Sequence, residues 1–340
     1  MDVAKVAGVS RSTVSYVLNG VKSENVFISE ETRKRVQDAI KELGYVPDAQ
    51  ARALRSGDTK MLGLFVPDIR NPHFAEMAEG AEQEARGAGY RLLLSNISLN
   101  YEYANEILED LLHRRTDGLI VMGWPTFVAE QAGVYLNRFP ERRLPIVDIC
   151  DHYDADILVD RVASDYQATT REAMSYLLEL NHKRIAMLYG VALHELGTDR
   201  LEPYEVSLRT AGLPVEDDLI IQCGATIEDG YQATQKLLSL SPRPTAIITI
   251  NDLLAIGALR AITDSGLSVP ADISVLSYDD ITMAKYTVPR LTTVSKDIMS
   301  VGRIAVKLLL ARLQEPDRPY QTEIHPARLI IRESTGPAPF

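Results

Sequence analysis

The chain lacks long apolar runs and is poor in cysteine, and both absences exclude classes of protein. No apolar run approaches the ~20 residues that span a membrane, and the N-terminus lacks the apolar segment of a signal peptide. The two cysteines, Cys150 and Cys223, form neither a disulfide framework nor a metal-binding spacing, and the six histidines show no metal-ligand spacing. We therefore predict a cytoplasmic protein with reduced cysteines, no metal, no cofactor and no membrane partner.

The sequence also lacks the motifs of common enzyme classes. It contains no Walker A loop, no G-x-S-x-G nucleophile elbow and no G-x-G-x-x-G after a strand. These absences disfavour catalysis on nucleotides, on esters or with dinucleotide cofactors. The sequence therefore predicts a binding protein and not an enzyme.

Acidic and basic residues are divided unevenly along the chain. The formal net charge is −11, yet residues 1–60 hold ten Lys or Arg against eight Asp or Glu. That segment therefore carries +2, and residues 61–340 carry −13. A mildly basic head on an acidic body is the distribution expected if only the head contacts phosphates.

Residues 7–19 carry the signal of a helix-turn-helix. Gly8 can adopt a positive φ and end a first helix, and Ser10 is a good N-cap for a second one. The second helix would pack through apolar residues at helical spacing, namely Val14, Val17 and Leu18. Its polar first turn suits the DNA major groove, while an αα-hairpin used only for packing is the alternative.

The residues that follow predict a three-helix headpiece. The stretch Gly20–Phe27 has no period and indicates a loop. Ser29 then caps a third helix that ends at Gly44. Its core-facing positions are Val36, Ile40 and Leu43. A shorter helix is predicted within Asp48–Arg55.

From Met61 onward, short apolar strands alternate with amphipathic helices. The predicted strands are Leu62–Val66, Arg91–Asn96, Gly118–Met122, Pro145–Ile149, Arg184–Tyr189, Leu219–Gln222, Thr245–Ile250 and Ile273–Ser277, with candidates at 321–325 and 328–331. The predicted helices lie near 73–88, 101–114, 127–138, 165–180, 199–211, 228–240, 252–265 and 297–313. This alternation predicts an α/β fold with two doubly wound lobes and a ligand cleft beyond the carboxyl ends of the strands.

Several sequence blocks stand out from the headpiece to the C-terminus. They include LGYVP at 43–47, ARALRSG at 51–57, NPHF at 71–74, DGLI at 117–120, HKRIA at 182–186, PRLTTV at 289–294 and REST at 332–335. In order and spacing these blocks resemble the lactose-repressor/galactose-repressor family of bacterial transcription regulators. The resemblance implies a periplasmic-binding-protein-like core through which the chain forms a homodimer.

The pattern and the resemblance together divide the chain into four parts. Residues 1–46 are predicted to form a helix-turn-helix DNA-binding headpiece, and residues 47–60 a hinge helix and linker. The first core lobe is assigned residues 61–163 and 295–322, and the second residues 164–294 and 323–335. Relatives usually carry a Thr and an apolar residue before the position of Asp2, which indicates either a start upstream or lost contacts.

The resemblance implies DNA contacts in the headpiece and in the hinge. Arg11, Ser12 and Tyr16 match positions that reach base edges in the family, and an arginine can pair with guanine. Relatives often carry Arg at the position of Tyr16. The remaining implied DNA contacts are Thr13, Ser15, Asn19, Ser29, Ala51 and Arg52.

Leu54 carries the most specific expectation for a single residue. The matching leucine of the family wedges between bases in the minor groove and kinks the duplex. Because so short a helix is marginal alone, we expect it to form when two copies pair on DNA. A linker leucine packed on the core is the alternative.

The resemblance also implies an effector site between the lobes. Arg200 matches the effector-binding arginine of the family and Asp279 its acidic residue, while Asn251 adds an amide and Phe74 an apolar face. Asp252 is predicted only to cap the next helix. Weaker candidates are His73, Trp124, Asp165 and His194. The alternatives are a structural salt bridge for the charged pair and core packing for the phenylalanine.

These observations predict a sequence-specific transcriptional regulator, most often a repressor in this family. It would bind a near-palindromic operator as a homodimer and respond to a small-molecule effector, with a sugar favoured by the polar residues of the cleft. The rival is a solute-binding protein of the same core fold without a DNA role, which residues 1–57 disfavour.

Overall fold

The computed structural model describes residues 3–19, 28–45, 59–97, 106, 116–122, 144–150, 159–190 and 198–339. The chain divides into two compact units, Met1–Thr59 and Lys60–Phe340. The predicted loop at 20–27, the hinge helix and the helices near 101–114 and 127–138 fall wholly or almost wholly outside the described residues. No helix that the structure describes is both long and apolar enough to cross a membrane.

The described residues of the headpiece form three helices, α1 (Val3–Val6), α2 (Arg11–Asn19) and α3 (Glu30–Leu43). Their shared core consists of Val3, Ala4, Ala7, Val14, Val36 and Ala39. Val17, Leu18, Ile40 and Leu43 pack against that core from partly buried positions, as their helical spacing predicts. Val6 departs from the apolar pattern of the first helix, since it is 46% exposed.

Local side-chain chemistry sets the ends of the headpiece helices. Ser10 Oγ accepts the Thr13 backbone N–H at 3.1 Å, and Ser29 Oγ accepts that of Thr32 at 3.2 Å. Gly8 has φ 63° at the turn between α1 and α2, and Gly44 has φ 57° at the end of α3. All four predicted helix boundaries are therefore confirmed, and each follows from a cap or a left-handed glycine.

Two six-stranded sheets form the larger unit. Its strands are β1 (Met61–Val66), β2 (Arg91–Asn96), β3 (Gly118–Met122), β4 (Ile146–Cys150), β5 (Asp160–Ser164), β6 (Ile185–Tyr189), β7 (Ile220–Gln222), β8 (Ala246–Thr249), β9 (Ser274–Asp279), β10 (Thr292–Lys296), β11 (Thr322–His325) and β12 (Ala327–Ile330). The first sheet has the order β11-β5-β4-β3-β1-β2, and the second β12-β10-β9-β8-β6-β7. Every pairing is parallel except the antiparallel β10–β12 edge.

The described residues also form helices that pack against the two sheets. They are α4 (Pro72–Gly87), α5 (Tyr166–Glu179), α6 (Leu201–Thr210), α7 (Ile227–Leu238), α8 (Asp252–Asp264) and α9 (Ile298–Gln314). One helix pair in each lobe packs through glycine. A Cβ on Gly80 of α4 would lie 2.1 Å from Met299 O of α9, and one on Gly257 of α8 would lie 2.0 Å from Ile227 O of α7.

Two strands and three lobe boundaries differ from the sequence prediction. The sequence does not predict β5 and β10, because their residues are largely polar. Partners distant in sequence satisfy these polar groups in the fold. Asp160 of β5, for example, accepts a hydrogen bond from Arg312 Nε at 2.9 Å. β10 carries the second sheet on to Lys296, and β11 pairs with β5 in the first sheet. Ser164, residues 295–296 and residues 323–325 therefore belong to the opposite lobes from those predicted.

Candidate functional site

A cavity of about 430 Å³ lies between the two lobes of the larger unit, at the carboxyl ends of the strands. Its walls come from both sheets, with Phe74, Met122 and Ile149 on one side and Arg200, Asn251 and Asp279 on the other among the lining residues. Four predicted residues, Phe74, Arg200, Asn251 and Asp279, therefore meet at one place. Clefts at this edge of parallel sheets are where ligands of such folds bind.

Arg200 lies in the cavity wall with its guanidinium between two tyrosine rings. Its central carbon is 3.9 Å from the ring centroid of Tyr166 and 4.9 Å from that of Tyr278. Its Nη1 donates to Asp199 Oδ1 at 2.8 Å, and the whole residue is only 4% exposed. The rings hold the cation in one orientation, as cation–π contacts do. Arg200 therefore forms a structural salt bridge and also lines the cavity.

Tyr278 is buried behind that arginine and belongs to the packing of the site. Its hydroxyl lies 2.7 Å from Thr170 Oγ1, and its ring meets that of Tyr166 edge-on at 5.6 Å. Burial raises the pKa of the Tyr278 phenol well above its usual range. The phenol therefore stays neutral, and it acts as a hydrogen-bonding support for the cavity wall.

Asn251 lies between β8 and α8, and both ends of its amide are engaged. Its Oδ1 accepts the Leu254 N–H at 2.8 Å, and its Nδ2 donates to Ala225 O at 3.0 Å. These bonds make Asn251 the N-cap of α8 and connect that helix to the loop before α7. The amide is thereby held in the cavity wall in a fixed orientation.

Asp252 does not cap α8, so the predicted capping role is wrong. Its carboxylate is fully buried and accepts hydrogen bonds from the Ser277 hydroxyl, from Thr293 Oγ1 at 2.8 Å and from the Ile281 N–H at 2.8 Å. Burial raises the pKa of this carboxyl to about 7, although the hydrogen bonds oppose the rise. Asp252 therefore joins β9, β10 and the loop after β9 directly behind the cavity wall.

Asp279 ends β9 and faces a histidine of the opposite lobe. His73 Nδ1, in the first turn of α4, lies 3.2 Å from Asp279 Oδ1, and both side chains are 7% exposed. Asp279 has φ 107°, a conformation that L residues adopt rarely. Strained backbone of this kind is concentrated at functional sites.

Lys296 and Tyr166 also line the cavity, although the sequence did not single them out as effector ligands. Lys296 Nζ lies 4.6 Å from the ring centroid of Tyr166 and donates to Ser164 Oγ at 3.4 Å. Both residues stand where the chain crosses between the lobes, just after β5 and at the end of β10. A sequence prediction that included β5 and β10 would have placed Tyr166 and Lys296 at the cavity.

At the side of the first lobe, Asp68 and Arg70 form a tight pair. Arg70 donates to both carboxylate oxygens, with Nη2 2.7 Å from Oδ2 and Nε 2.9 Å from Oδ1. Burial acts to raise the pKa of Asp68, but the hydrogen bonds and charge of Arg70 outweigh it and hold that pKa below the usual value. This pair adds a fixed polar group to a largely apolar wall.

Three weaker candidates do not join this group. Asp165 is exposed and its carboxylate caps α5, accepting the Ala168 N–H at 2.9 Å, so it is absent from the cavity lining. The predicted effector role of Asp165 is thus corrected, because the helix N-terminus uses the carboxylate. Trp124 and His194 lie outside the described residues.

In the headpiece, α2 presents polar residues on the side opposite its core. Arg11 and Ser12 are exposed, and Thr13, Ser15 and Tyr16 are partly exposed. The Ser12 and Thr13 hydroxyls lie 2.8 and 2.9 Å from Ser10 Oγ, so the first turn is fixed by its own cap. Among the other predicted DNA contacts, Asn19 ends α2 and Ser29 caps α3, while Ala51, Arg52 and Leu54 lie outside the described residues.

Two family models match the chain in the order of its parts. Residues 1–48 match bacterial regulatory proteins of the lacI family, and residues 174–335 match a periplasmic binding protein-like domain. The ribose operon repressor of Haemophilus influenzae is 33% identical over 98% of this chain and 97% of its own length. The repressor PurR of Salmonella paratyphi A is 37% identical over 100% of this chain and 97% of its own. The chain belongs to the lacI family.

Solved structures support the assignment of this chain to the lacI family. A lac repressor dimer bound to operator and the anti-inducer ONPF has a TM-score of 0.86 and 27% identity, and the match covers 98% of each chain. The lacI-family regulator is a DNA-binding transcriptional regulator with a small-molecule effector, not an enzyme. The rival interpretation, a solute-binding protein without a DNA role, does not account for the headpiece match.

Proposed function

We propose that this regulator is a cytoplasmic repressor that binds a near-palindromic operator as a homodimer. Binding of a sugar-like effector would either weaken or strengthen its affinity for that operator. Two relatives are named as repressors, and a solved neighbour is a dimer bound to its operator. Matched half-sites on DNA follow from two-fold symmetry of such a dimer. The observation that carries the proposal is one chain holding both a capped, exposed recognition helix and a cavity between the two lobes of its larger unit.

In the headpiece, the proposed base contacts are Arg11, Ser12 and Tyr16 on α2. The exposed first turn of α2 is held by Ser10, which leaves Arg11 at the solvent side of the helix. Proposed contacts with DNA also include Thr13, Ser15, Asn19, Ser29, Ala51 and Arg52, with Leu54 as the minor-groove wedge. A bidentate arginine–guanine pair contributes about 1–3 kcal/mol of discrimination between bases.

In the cavity, we propose that Arg200, Asn251 and Asp279 bind hydroxyl groups and that Phe74 contacts an apolar face of the effector. A guanidinium, an amide and a carboxylate held in fixed orientations suit a polyhydroxylated molecule. Related regulators have been solved with ribose, in a protein from Enterococcus faecium with 29% identity, and with cellobiose, at 28% identity. The volume of about 430 Å³ exceeds what a single pentose needs, so disaccharides and glycosides belong in any search.

The effector part is tested by a thermal-shift screen of the full chain against sugars, nucleosides and phosphorylated metabolites. A ligand that binds only the folded state raises the melting temperature, and the rise grows with the logarithm of the ligand concentration above Kd. We expect a polyhydroxylated compound to raise it for the wild type and not for Arg200→Gln. The sugar assignment is overturned if only nucleobases or phosphorylated metabolites stabilise the chain.

The DNA part is tested separately by fluorescence anisotropy with DNA from the regulator's own upstream region, at stated salt concentration. We expect specific binding by the wild type and loss of base discrimination by Arg11→Ala. Lys34→Ala, an exposed residue of α3 outside the proposed contact set, is the control. Leu54→Ala should weaken binding and reduce the bend of the duplex; unchanged affinity and bend would refute the wedge.

A further inference from the structure

We infer that His73 is a positioning residue of the effector site, which orients Asp279 from the opposite lobe and thereby connects the two lobes across the cavity. The contact between His73 Nδ1 and Asp279 Oδ1, at 3.2 Å, joins the first turn of α4 to the end of β9. Both residues line the cavity. The inference rests on the proposed function for its purpose, since it concerns the same site.

The side chain of His73 is itself held in place. Asn71 Oδ1 caps α4 by accepting the His73 N–H at 3.0 Å, which fixes the backbone at the first turn. The imidazole meets the Phe74 ring edge-on, with centroids 5.3 Å apart and an interplanar angle of 86°. The backbone hydrogen bond and the edge-on ring contact together favour one placement of the imidazole, with Nδ1 3.2 Å from Asp279 Oδ1 of the second lobe.

A second contact crosses between the same two elements. Thr282 Oγ1, just after β9, donates to Glu76 Oε1 of α4 at 3.1 Å. Residues three apart on a helix lie on the same face, so His73 and Glu76 present one face of α4 to the second lobe. Asp279, at the end of β9, and Thr282, just after that strand, contact that face. Two contacts therefore join α4 to the second lobe. The His73–Asp279 contact is buried at the cavity, and the Thr282–Glu76 contact is exposed.

This arrangement gives Asp279 two roles. Its carboxylate is oriented by the first lobe while its backbone belongs to the second, so any change in the angle between the lobes moves the carboxylate relative to His73. An effector that binds the oriented carboxylate favours the closed arrangement, because the lobes cannot separate without losing the contact. Differential binding of this kind is what couples a ligand to a conformational equilibrium.

Hydrogen exchange of the full chain measures the contact without effector or DNA. Amides of α4 and of the segment Thr282–Lys285 exchange through local opening of the cleft. We compare His73→Leu with His73→Asn, since the two residues are nearly isosteric but Asn places an N–H donor close to the position of Nδ1. We expect His73→Leu to accelerate exchange about 2- to 10-fold in both segments, the range of one lost polar contact, and His73→Asn to resemble the wild type.

The response of the second lobe decides the outcome. A histidine that only packs within the first lobe would alter exchange in α4 and leave Thr282–Lys285 unchanged, and this result would overturn the inference. In an Asp279→Ala background, His73→Leu and His73→Asn should become indistinguishable; a persisting difference would also overturn it. If His73→Leu unfolds the core, Asp279→Ala alone supplies the test, because it must accelerate exchange in α4 of the other lobe.

These results are independent of the proposed function. A chain that binds no sugar in the thermal-shift screen could still show the cross-lobe response in exchange. Conversely, if sugars stabilise the chain but the His73 variants exchange like the wild type, the proposed function stands and the positioning role of His73 is overturned.

Discussion

Asp252 permits a test in which pH alone perturbs one buried group behind the cavity. Burial raises the pKa of its carboxyl to about 7 from the ordinary value of 3.8, against hydrogen bonds from Ser277, Thr293 and Ile281 and with the nearby charge of Asp280 adding to the rise. In the unfolded chain the same carboxyl ionises near its ordinary value. Between these two pKa values the folded protein therefore holds a proton that the unfolded chain has released.

The sign and size of the effect follow from this difference. Because unfolding releases a proton in that interval, the free energy of unfolding falls as pH rises. The stabilisation is fully present below the unfolded pKa and is lost as pH rises through about 7, a total of about 4 kcal/mol. Between about pH 5 and about pH 7.5 the wild type should lose about 2–3 kcal/mol through this group.

Asp252→Asn removes the titration without removing the shape. The amide Nδ2 can donate to the hydroxyl oxygens of Ser277 and Thr293, and Oδ1 can accept the Ile281 N–H, so all three partners stay satisfied. Urea denaturation at a series of pH values, followed by far-ultraviolet circular dichroism, measures the free energy of unfolding of both proteins. We expect the variant to gain stability relative to the wild type as pH rises.

Asp297→Asn serves as the control because its carboxyl is shifted the other way. The hydrogen bonds of Ser300 hold the pKa of Asp297 below its usual value, so both folded and unfolded carboxyls are ionised above about pH 5. Its variant should therefore lose a constant amount of stability across the series. Parallel curves for the wild type and Asp252→Asn from about pH 5 to about pH 7.5 would refute the reasoning.

Three further outcomes are expected. Gly257→Ala should destabilise the second lobe by more than about 2 kcal/mol in urea denaturation, because the new Cβ meets Ile227 O at 2.0 Å, whereas Gly87→Ala has no neighbour within 4 Å and should be neutral or stabilising by up to about 1 kcal/mol. Asp160→Asn leaves the buried Arg312 and the partly buried Arg318 facing an amide and should cost about 3–5 kcal/mol, whereas Glu333→Gln in an exposed pair should cost much less; equal losses would contradict this account. Arg200→Lys should weaken effector binding in calorimetry by about 10- to 100-fold, since an ammonium lacks the planar fork; an unchanged affinity would leave Arg200 a structural residue only.

Much of the local structure followed from residues close together in the chain. Ser10 and Ser29 begin their helices and Gly44 ends one, all through contacts within four residues, so the headpiece boundaries could be predicted. The apolar strand β3 was predicted with its observed bounds, because burial on both faces requires continuous apolar sequence. β2 was also predicted with its observed bounds, although it is an edge strand with no buried residue. By contrast, β5 and β10 carry polar residues whose partners are distant in sequence, so their sequences do not resemble buried strands.

The site divides in the same way. Phe74, Arg200, Asn251 and Asp279 could be named beforehand because they match family positions near element ends. Lys296 could not, since its place in the cavity depends on a polar strand that crosses between the lobes.

The sequence by itself therefore determined the helix caps, the alternation of strands and helices, and the family. Only the tertiary structure decided that Asp252 is a buried connector and not a cap, that Asp165 is a cap and not a ligand, and that His73 faces Asp279 across the cleft. The physical reason is that caps and amphipathic faces depend on neighbours along the chain. Desolvation and interlobe contacts depend on which elements the fold brings together.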